Sequence, residues 1–167
     1  LAQQLKDISI ERNSVVSNTT ATYTGIQLTS SHGTNTVALN KVNLTSTGDG
    51  ITINGVNSES SLPGLCKVYN NMSSVVSGSA FTLSTNRRLH FVYNTGYTAG
   101  TTASSHHAIK LFGGDSITVQ NNIGVANAGR AYSETFYIPI VNGDYNNYYT
   151  NGTELAYRAN TPYADLA

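Results

Sequence analysis

One phrase recurs along this chain: a β-branched alternation, one or two asparagines, then another apolar residue. It reads "ISIERNSVV" (8–16), "TVALNKVNL" (36–44), "CKVYNNMSSV" (66–75), "LHFVYNTGY" (89–97), "ITVQNNIGV" (117–125) and "DYNNYYTNG" (144–152). With Asn13, Asn40, Asn71, Asn94, Asn122 and Asn147 as markers, the steps are 27, 31, 23, 28 and 25 residues. A second phrase interleaves with the first, as "GIQL" (25–28), "GITI" (50–53), "AFTL" (80–83), "AIKL" (108–111) and "FYIPI" (136–140). Its markers Ile26, Ile51, Phe81, Ile109 and Phe136 step by 25, 30, 28 and 27. Two independent markers that keep one rhythm define a repeat architecture, and this constrains the fold more than any single motif.

A unit of this length holds two or three short strands and cannot bury a face alone. Stacked units pair each strand with its equivalent in the next, giving parallel sheets around one continuous core. The expected inward positions are Ile8/Ile10, Ile26/Leu28, Ile51/Ile53, Val68, Phe81/Leu83, Ile109/Leu111 and Ile117/Val119. Asparagine at the corner tolerates the left-handed backbone region and bonds neighbouring backbone. Stacked asparagines also form a side-chain amide ladder. No window carries a sustained 3.6-residue period, so helices are not expected. An antiparallel sandwich or jelly roll also has many short strands. The constant order of parts within each unit favours a β-solenoid, as one domain over residues 1–167.

Composition narrows the partners. Nine basic and nine acidic side chains balance, and charged residues are only 11% of the chain. A nucleic-acid partner needs a basic stripe to displace counterions, and a membrane surface needs a polybasic cluster; neither is present. No apolar run is long enough to span a bilayer. Cys66 is the sole cysteine, so no intramolecular disulfide forms, and its apolar neighbours Leu65 and Val68 mark it as a buried, inert thiol. The chain opens on Leu1 and has no obvious terminal cap, so we expect an excerpt of a longer polypeptide.

The "I-x-V-x-N-N-I" phrase, here Ile117, Val119, Asn121, Asn122 and Ile123, occurs with "G-I-x-L" one strand later. This combination resembles the right-handed parallel β-helix repeat of pectin-lyase-like proteins. The resemblance covers nearly the whole chain, as about six coils. The tail "DYNNYYTNGTELAYRANTPYADLA" resembles the segment after the last coils of β-helix regions in very large bacterial secreted or cell-surface proteins. There a "D-Y-N-N-x-Y" strand leads into a loop and a "Y-x-x-L-x-x-W"-like continuation, whose start Tyr163, Asp165 and Leu166 fit. The resemblance implies a right-handed parallel β-helix and an extracellular or cell-surface location in a bacterium. It implies polysaccharide or neighbouring modules of the same polypeptide as partners.

The family that the repeat resembles includes polysaccharide lyases and glycoside hydrolases, whose chemistry demands particular residues. Glycoside hydrolysis needs two carboxyl groups flanking the bond. A lyase similar to pectate lyases needs clustered carboxylates for Ca²⁺ and a basic proton acceptor. The nine acids are Asp7, Glu11, Asp49, Glu59, Asp115, Glu134, Asp144, Glu154 and Asp165; no two are adjacent, and no "NTD" or "DD" run occurs. "SSHGTN" (30–35) is similar to the "GHG" of polygalacturonases, but a serine replaces its first glycine. Asp49, Asp115 and Asp144 each follow a glycine. They read either as ordinary turn residues or as a row of carboxylates along one solenoid edge, able to hold Ca²⁺. His106 and His107 are adjacent, which on a strand points them to opposite faces. No metal site is assigned, and Ca²⁺ is the single cofactor considered.

Seven of the eleven tyrosines fall in the last 36 residues, and "GDYNNYYTNGTEL" (143–155) concentrates three of them. A tyrosine offers an apolar face with a polar tip. The loops "NGVNSESSLPGL" (54–65) and "NTGYTAGTTASSHH" (94–107) are the longest expected insertions, and the second carries Tyr97. The candidate ligand-binding residues are therefore Asp115, Asp144, Tyr97, Tyr148 and Tyr149, with no catalytic residue assigned. The expected function is a non-catalytic β-helix module of a large extracellular protein, serving as a stalk or as an adhesive, polysaccharide-binding surface. The competing expectation is part of a polysaccharide lyase or glycoside hydrolase with its site on the solenoid face.

Overall fold

The structure is a computed structural model that describes residues 5–18, 21–58, 64–102, 104–136, 140–159 and 161–164. Asp165, Leu166, Glu59 and the centre of "FYIPI" lie outside the described residues. Strands run in chain order as β1 (Ser9–Glu11), β2 (Ser14–Ser17), β3 (Ile26–Thr29), β4 (Asn35–Ala38), β5 (Lys41–Thr47) and β6 (Ile51–Asn54). They continue as β7 (Cys66–Tyr69), β8 (Met72–Ser77), the long β9 (Ser79–Val92), β10 (Thr95–Thr98) and the equally long β11 (His107–Gln120). The series closes with β12 (Ile123–Ala126), β13 (Arg130–Glu134), β14 (Ile140–Asn142), β15 (Asn147–Thr150), β16 (Ala156–Arg158) and β17 (Thr161–Tyr163). No helix occurs among the described residues.

The fold is a parallel β-solenoid of about five turns, with three faces. Sheet I is six-stranded and stacks β2, β5, β8, β10, β12 and β15 in sequence order, every pair parallel. Sheet II stacks β3, β6, the first halves of β9 and β11, β13 and β16. Sheet III stacks β1, β4, β7, the second halves of β9 and β11, and β14. Because β9 and β11 each turn a corner without breaking, sheets II and III join into one eleven-stranded sheet. Among the described residues the exception to parallel pairing is β17, which lies antiparallel on β16 and covers that edge of sheet II.

Strand parity puts the apolar residues inside. In sheet II the inward column runs Ile26, Ile51, Phe81, Ile109, each in register with the next. In sheet III it runs Ile10, Val37, Val68, Phe91, Val119. Phe81 and Phe91 meet edge to face at 5.1 Å across the core. Room for Phe81 comes from sheet I, where Gly96 faces inward; a Cβ there would stand 3.1 Å from Phe81 Cδ2 and 2.7 Å from the Ala108 carbonyl. Each fully buried Leu, Ile or Phe contributes about 1.5–3 kcal/mol.

Two expectations about the last turns are corrected. The fifth member of the sheet II column is Tyr132, paired with Ile109, rather than Phe136, which is exposed. The repeat phrase fails there because Tyr132 and Glu134 fill the two inward positions of β13. The sixth corner asparagine is Asn146, since Asn147 has moved onto β15 and is exposed.

The asparagine ladder runs unbroken between sheets III and I. The Oδ1 atoms of Asn40, Asn71, Asn94, Asn122 and Asn146 each accept the backbone N–H of the preceding ladder asparagine at 2.9–3.1 Å. They also accept its side-chain amide at 2.9–3.2 Å. Each Nδ2 reaches back to a strand carbonyl of the neighbouring turn, as from Asn94 to Val68 at 2.9 Å. The left-handed conformation, however, sits on the residue before each ladder asparagine. Arg12, Leu39, Asn70, Tyr93, Asn121 and Tyr145 all have φ between 53° and 59°. The asparagine itself stays in ordinary backbone space so that its side chain can enter the interior.

Candidate functional site

The three glycine-preceded aspartates occupy three different corners. Asp49 lies between β5 and β6, where sheet I gives way to sheet II. Asp115 lies within β11, at the bend from sheet II to sheet III, and Asp144 lies between β14 and β15, at the asparagine corner. They form no row. Asp49 accepts the Ser79 N–H at 3.0 Å and the Thr82 hydroxyl at 2.8 Å, which staples one turn to the next. Asp115 stands 3.8 Å from Arg87 across the next pair of turns, β9 to β11, and accepts the Ser116 hydroxyl. Asp144 accepts the N–H of Tyr145, the left-handed residue of its corner. Among the described residues no three of His, Cys, Asp and Glu converge on a point where a metal ion could sit.

Two serine–histidine contacts, invisible as sequence motifs, deserve the test for nucleophilic chemistry. His106 Nε2 lies 2.9 Å from Ser77 Oγ, on the corner between sheets I and II. A nucleophile's base must present a bare ring nitrogen to the hydroxyl. His106 Nδ1 meets the Thr102 N–H at 2.9 Å, the Thr102 carbonyl at 3.0 Å and the Ser105 hydroxyl at 3.3 Å. Among the described residues no carboxylate bonds Nδ1, so the pair lacks the third group that orients a catalytic base. His107 faces inward, 3.4 Å from Ser79 Oγ, and is almost wholly buried. Burial first, then the charges of Lys110, Arg130 and His106, lower its pKa to about 3. It stays neutral and is a weak base. The adjacent histidines diverge: His107 enters the core side of β11, while half-buried His106, in the link before the strand, reaches Ser77.

Cys66 is fully buried on β7, and burial pushes its thiol up to about 12. His32 is also buried, and among the described residues neither ring nitrogen has a hydrogen-bond partner. Nearby, the Ser31 hydroxyl and Asn57 Oδ1 are equally unpartnered, with Asn57 tied to the backbone of Ser31 and Gly33.

Where the inward columns reach β13 and β16, a cavity of about 560 Å³ is lined by Val119, Tyr132, Glu134, Tyr148, Arg158 and Tyr163. Glu134 is fully buried; Arg158 Nε lies 3.2 Å from its Oε2, and the Tyr132 hydroxyl donates to the same atom at 3.3 Å. Tyr148 turns inward and stacks on Tyr132 with centroids 5.2 Å apart. Burial and, second, the Glu134 charge raise the Tyr132 pKa, and burial raises that of Tyr148. Tyr148 is thus a wall of the interior. Glu134 and Arg158 were not legible as a pair, because 24 residues and a full turn separate them.

Tyr97 and Tyr149 lie elsewhere, on the outer face of sheet I. Tyr97 belongs to β10 rather than to a loop, so the segment expected as an insertion over 94–107 is partly a rung. Two outward columns cover this face. One runs Ser14, Lys41, Met72, Thr95, Ile123, Asn147, and the other Val16, Asn43, Ser74, Tyr97, Val125, Tyr149. Met72 (56%), Tyr97 (40%), Ile123 (44%) and Tyr149 (56%) are all substantially exposed. The Tyr149 hydroxyl donates to Asn151 Oδ1 at 2.6 Å, which fixes the ring. The parity of "NIGVAN" and "NYYTN" carried this signal, but it needed the register to be read. On sheet II a smaller hollow of about 320 Å³ is lined by Lys110, Phe112, Arg130 and Tyr157, where Arg130 is bound to Glu154 at 2.7 Å.

No family model matches the chain, and neither a curated protein nor a solved structure matches it.

Proposed function

We propose that the chain is a rigid, non-catalytic β-solenoid module of a bacterial extracellular or cell-surface protein. It spans distance as a stalk and presents an adhesive face that contacts polysaccharide. The observation that carries the reading is the dispersal of Asp49, Asp115 and Asp144 to three corners, each in local hydrogen bonds. Glycosidic chemistry needs two carboxyl groups on opposite sides of one bond, and these three cannot supply them. The unbroken amide ladder supports the mechanical part, and the exposed tyrosines of sheet I support the adhesive part. The resemblance of the repeat to pectin-lyase-like β-helices supports the choice of polysaccharide and the extracellular setting.

The test is incubation with polygalacturonate and with neutral glycans, with added Ca²⁺ and with a chelator. Reducing ends and the ultraviolet absorbance of unsaturated products are followed. The expected result is no product in either condition. Product formation abolished by Asp49→Asn, Asp115→Asn or Asp144→Asn would establish the lyase or hydrolase reading instead.

A further inference from the structure

We infer that the outer face of sheet I binds a single extended, neutral glycan chain lying along the solenoid axis, with Tyr97 and Tyr149 under alternate sugar rings. The inference rests on the adhesive-surface reading above and adds the face, the ligand class and the direction.

The geometry sets the direction. Tyr97 on the fourth rung and Tyr149 on the sixth share one outward column, with half-buried Val125 between them. Two rung spacings separate the rings by about 9–10 Å. Successive rings of an extended glycan advance by close to one rung spacing, so two tyrosines two rungs apart meet every second ring. Sugar rings offer C–H faces to an aromatic ring and hydroxyl groups at their edges. Thr95 and Asn147, in the adjacent column, put a hydroxyl and an amide beside the tyrosines. Tyr149 is already held by Asn151, so little ordering remains to be paid on binding.

Charge sets the class. Lys41 is the one charged side chain among the twelve positions of these two columns, and it stands on the second rung, away from both tyrosines. An acidic polymer finds no array of cations here. Size and backbone exclude the other occupants. Six rungs by two columns give a stripe roughly 24 Å by 7 Å. That is a few hundred Å² at most, against about 800 Å² per partner in a stable protein interface. An extended peptide docks by adding to a strand edge, and the inner strands of sheet I are paired on both sides.

The experiment is calorimetric titration of the whole chain with cellohexaose, laminarihexaose and polygalacturonate, beside sedimentation equilibrium. At least one neutral hexasaccharide is expected to bind with an affinity indifferent to added salt. Tyr97→Ala and Tyr149→Ala should each weaken binding about tenfold or more, and Ile123→Arg should block it without touching either tyrosine. Tyr97→Phe should bind as the parent does, as should Tyr145→Ala, which alters an exposed ring at the asparagine corner. Far-UV circular dichroism checks that each variant is folded. The inference is overturned by no neutral glycan binding, by undiminished binding in both alanine variants, or by salt-sensitive binding of polygalacturonate alone. Dimers that dissociate in the tyrosine variants overturn it too, since they assign the face to a second copy. None of these results requires glycan cleavage, so the inference can fall while the non-catalytic reading stands; cleavage products strike that reading separately.

Discussion

The corner between sheets III and I and the corner between sheets I and II solve the same problem in opposite ways. At the first, two residues link the strands at five of six rungs: a left-handed residue and an asparagine. At the second the links hold 8, 3, 1, 8, 3 and 5 residues (18–25, 48–50, 78, 99–106, 127–129 and 151–155). The difference lies in where the hydrogen bonds go. A ladder asparagine is bonded above and below through both its backbone and its side chain, so an inserted residue would orphan several buried donors. The second corner has no such chain of dependence, and lengthening a loop costs little. Chemistry-bearing residues accordingly gather there: Asp49, Ser77, His106 and His107 all lie at or beside it.

Substitutions that damage one corner and spare the other sharpen this contrast. The largest effect is expected from Asn94→Ala. It removes the Nδ2 contacts to Val68, Val92 and Asn122, and leaves the backbone N–H and one side-chain N–H of Asn71 without their acceptor. A loss of roughly 2–4 kcal/mol in chemical denaturation is expected.

The next effect depends on pH and lies at the variable corner. His107 is held neutral in the folded chain, with a pKa of about 3, against about 6.5 when unfolded. Between those values the unfolded state binds more protons, so stability falls as pH drops below about 6.5 and levels near 3. From pH 6 to pH 4 the cost is up to about 2.5 kcal/mol, and His107→Asn should remove that share of the slope in urea titrations.

A smaller gain is expected from Tyr93→Asn. Tyr93 is exposed and, like Asn70 and Asn121 at equivalent positions, left-handed. Replacing it should raise stability by about 0.5–1 kcal/mol. Ser77→Ala, which removes only the contact to His106, should change stability by less than about 0.5 kcal/mol. A drop as large as that for Asn94→Ala would erase the distinction between the corners.

The same contrast explains what could be read in the sequence. The ladder was legible because its residues must be identical in chemistry and nearly constant in spacing. Five of its six members carried the expected numbers, and the sheet II column was right from Ile26 to Ile109. Legibility ended at β13, where Tyr132 and Glu134 replace the aliphatic pair, so that the apolar residue Phe136 was the better match to the pattern. It ended again at "DYNNYY", where either asparagine fits the corner and only the hydrogen bond to Asn122 decides for Asn146. The left-handed residue was missed because Arg, Leu and Tyr give no sign of it; the turn imposes that conformation on whatever precedes the asparagine. The candidate site was less legible still. Tyr97 and Tyr149 share a face through a register of parallel strands, and Ser77 meets His106 through a link of eight residues on another turn. Neither relation has a sequence spacing of its own.

The central claim is that one continuous amide ladder, from Asn13 to Asn146, locks the turns into a single rigid body. Hydrogen exchange followed residue by residue measures it directly. The backbone amides of Asn40, Asn71, Asn94 and Asn122 should exchange as slowly as those of Phe81 and Phe91 in the core, and all should be released together as denaturant is raised. Exchange of these four amides within minutes, while the core strands remain protected, would contradict the claim.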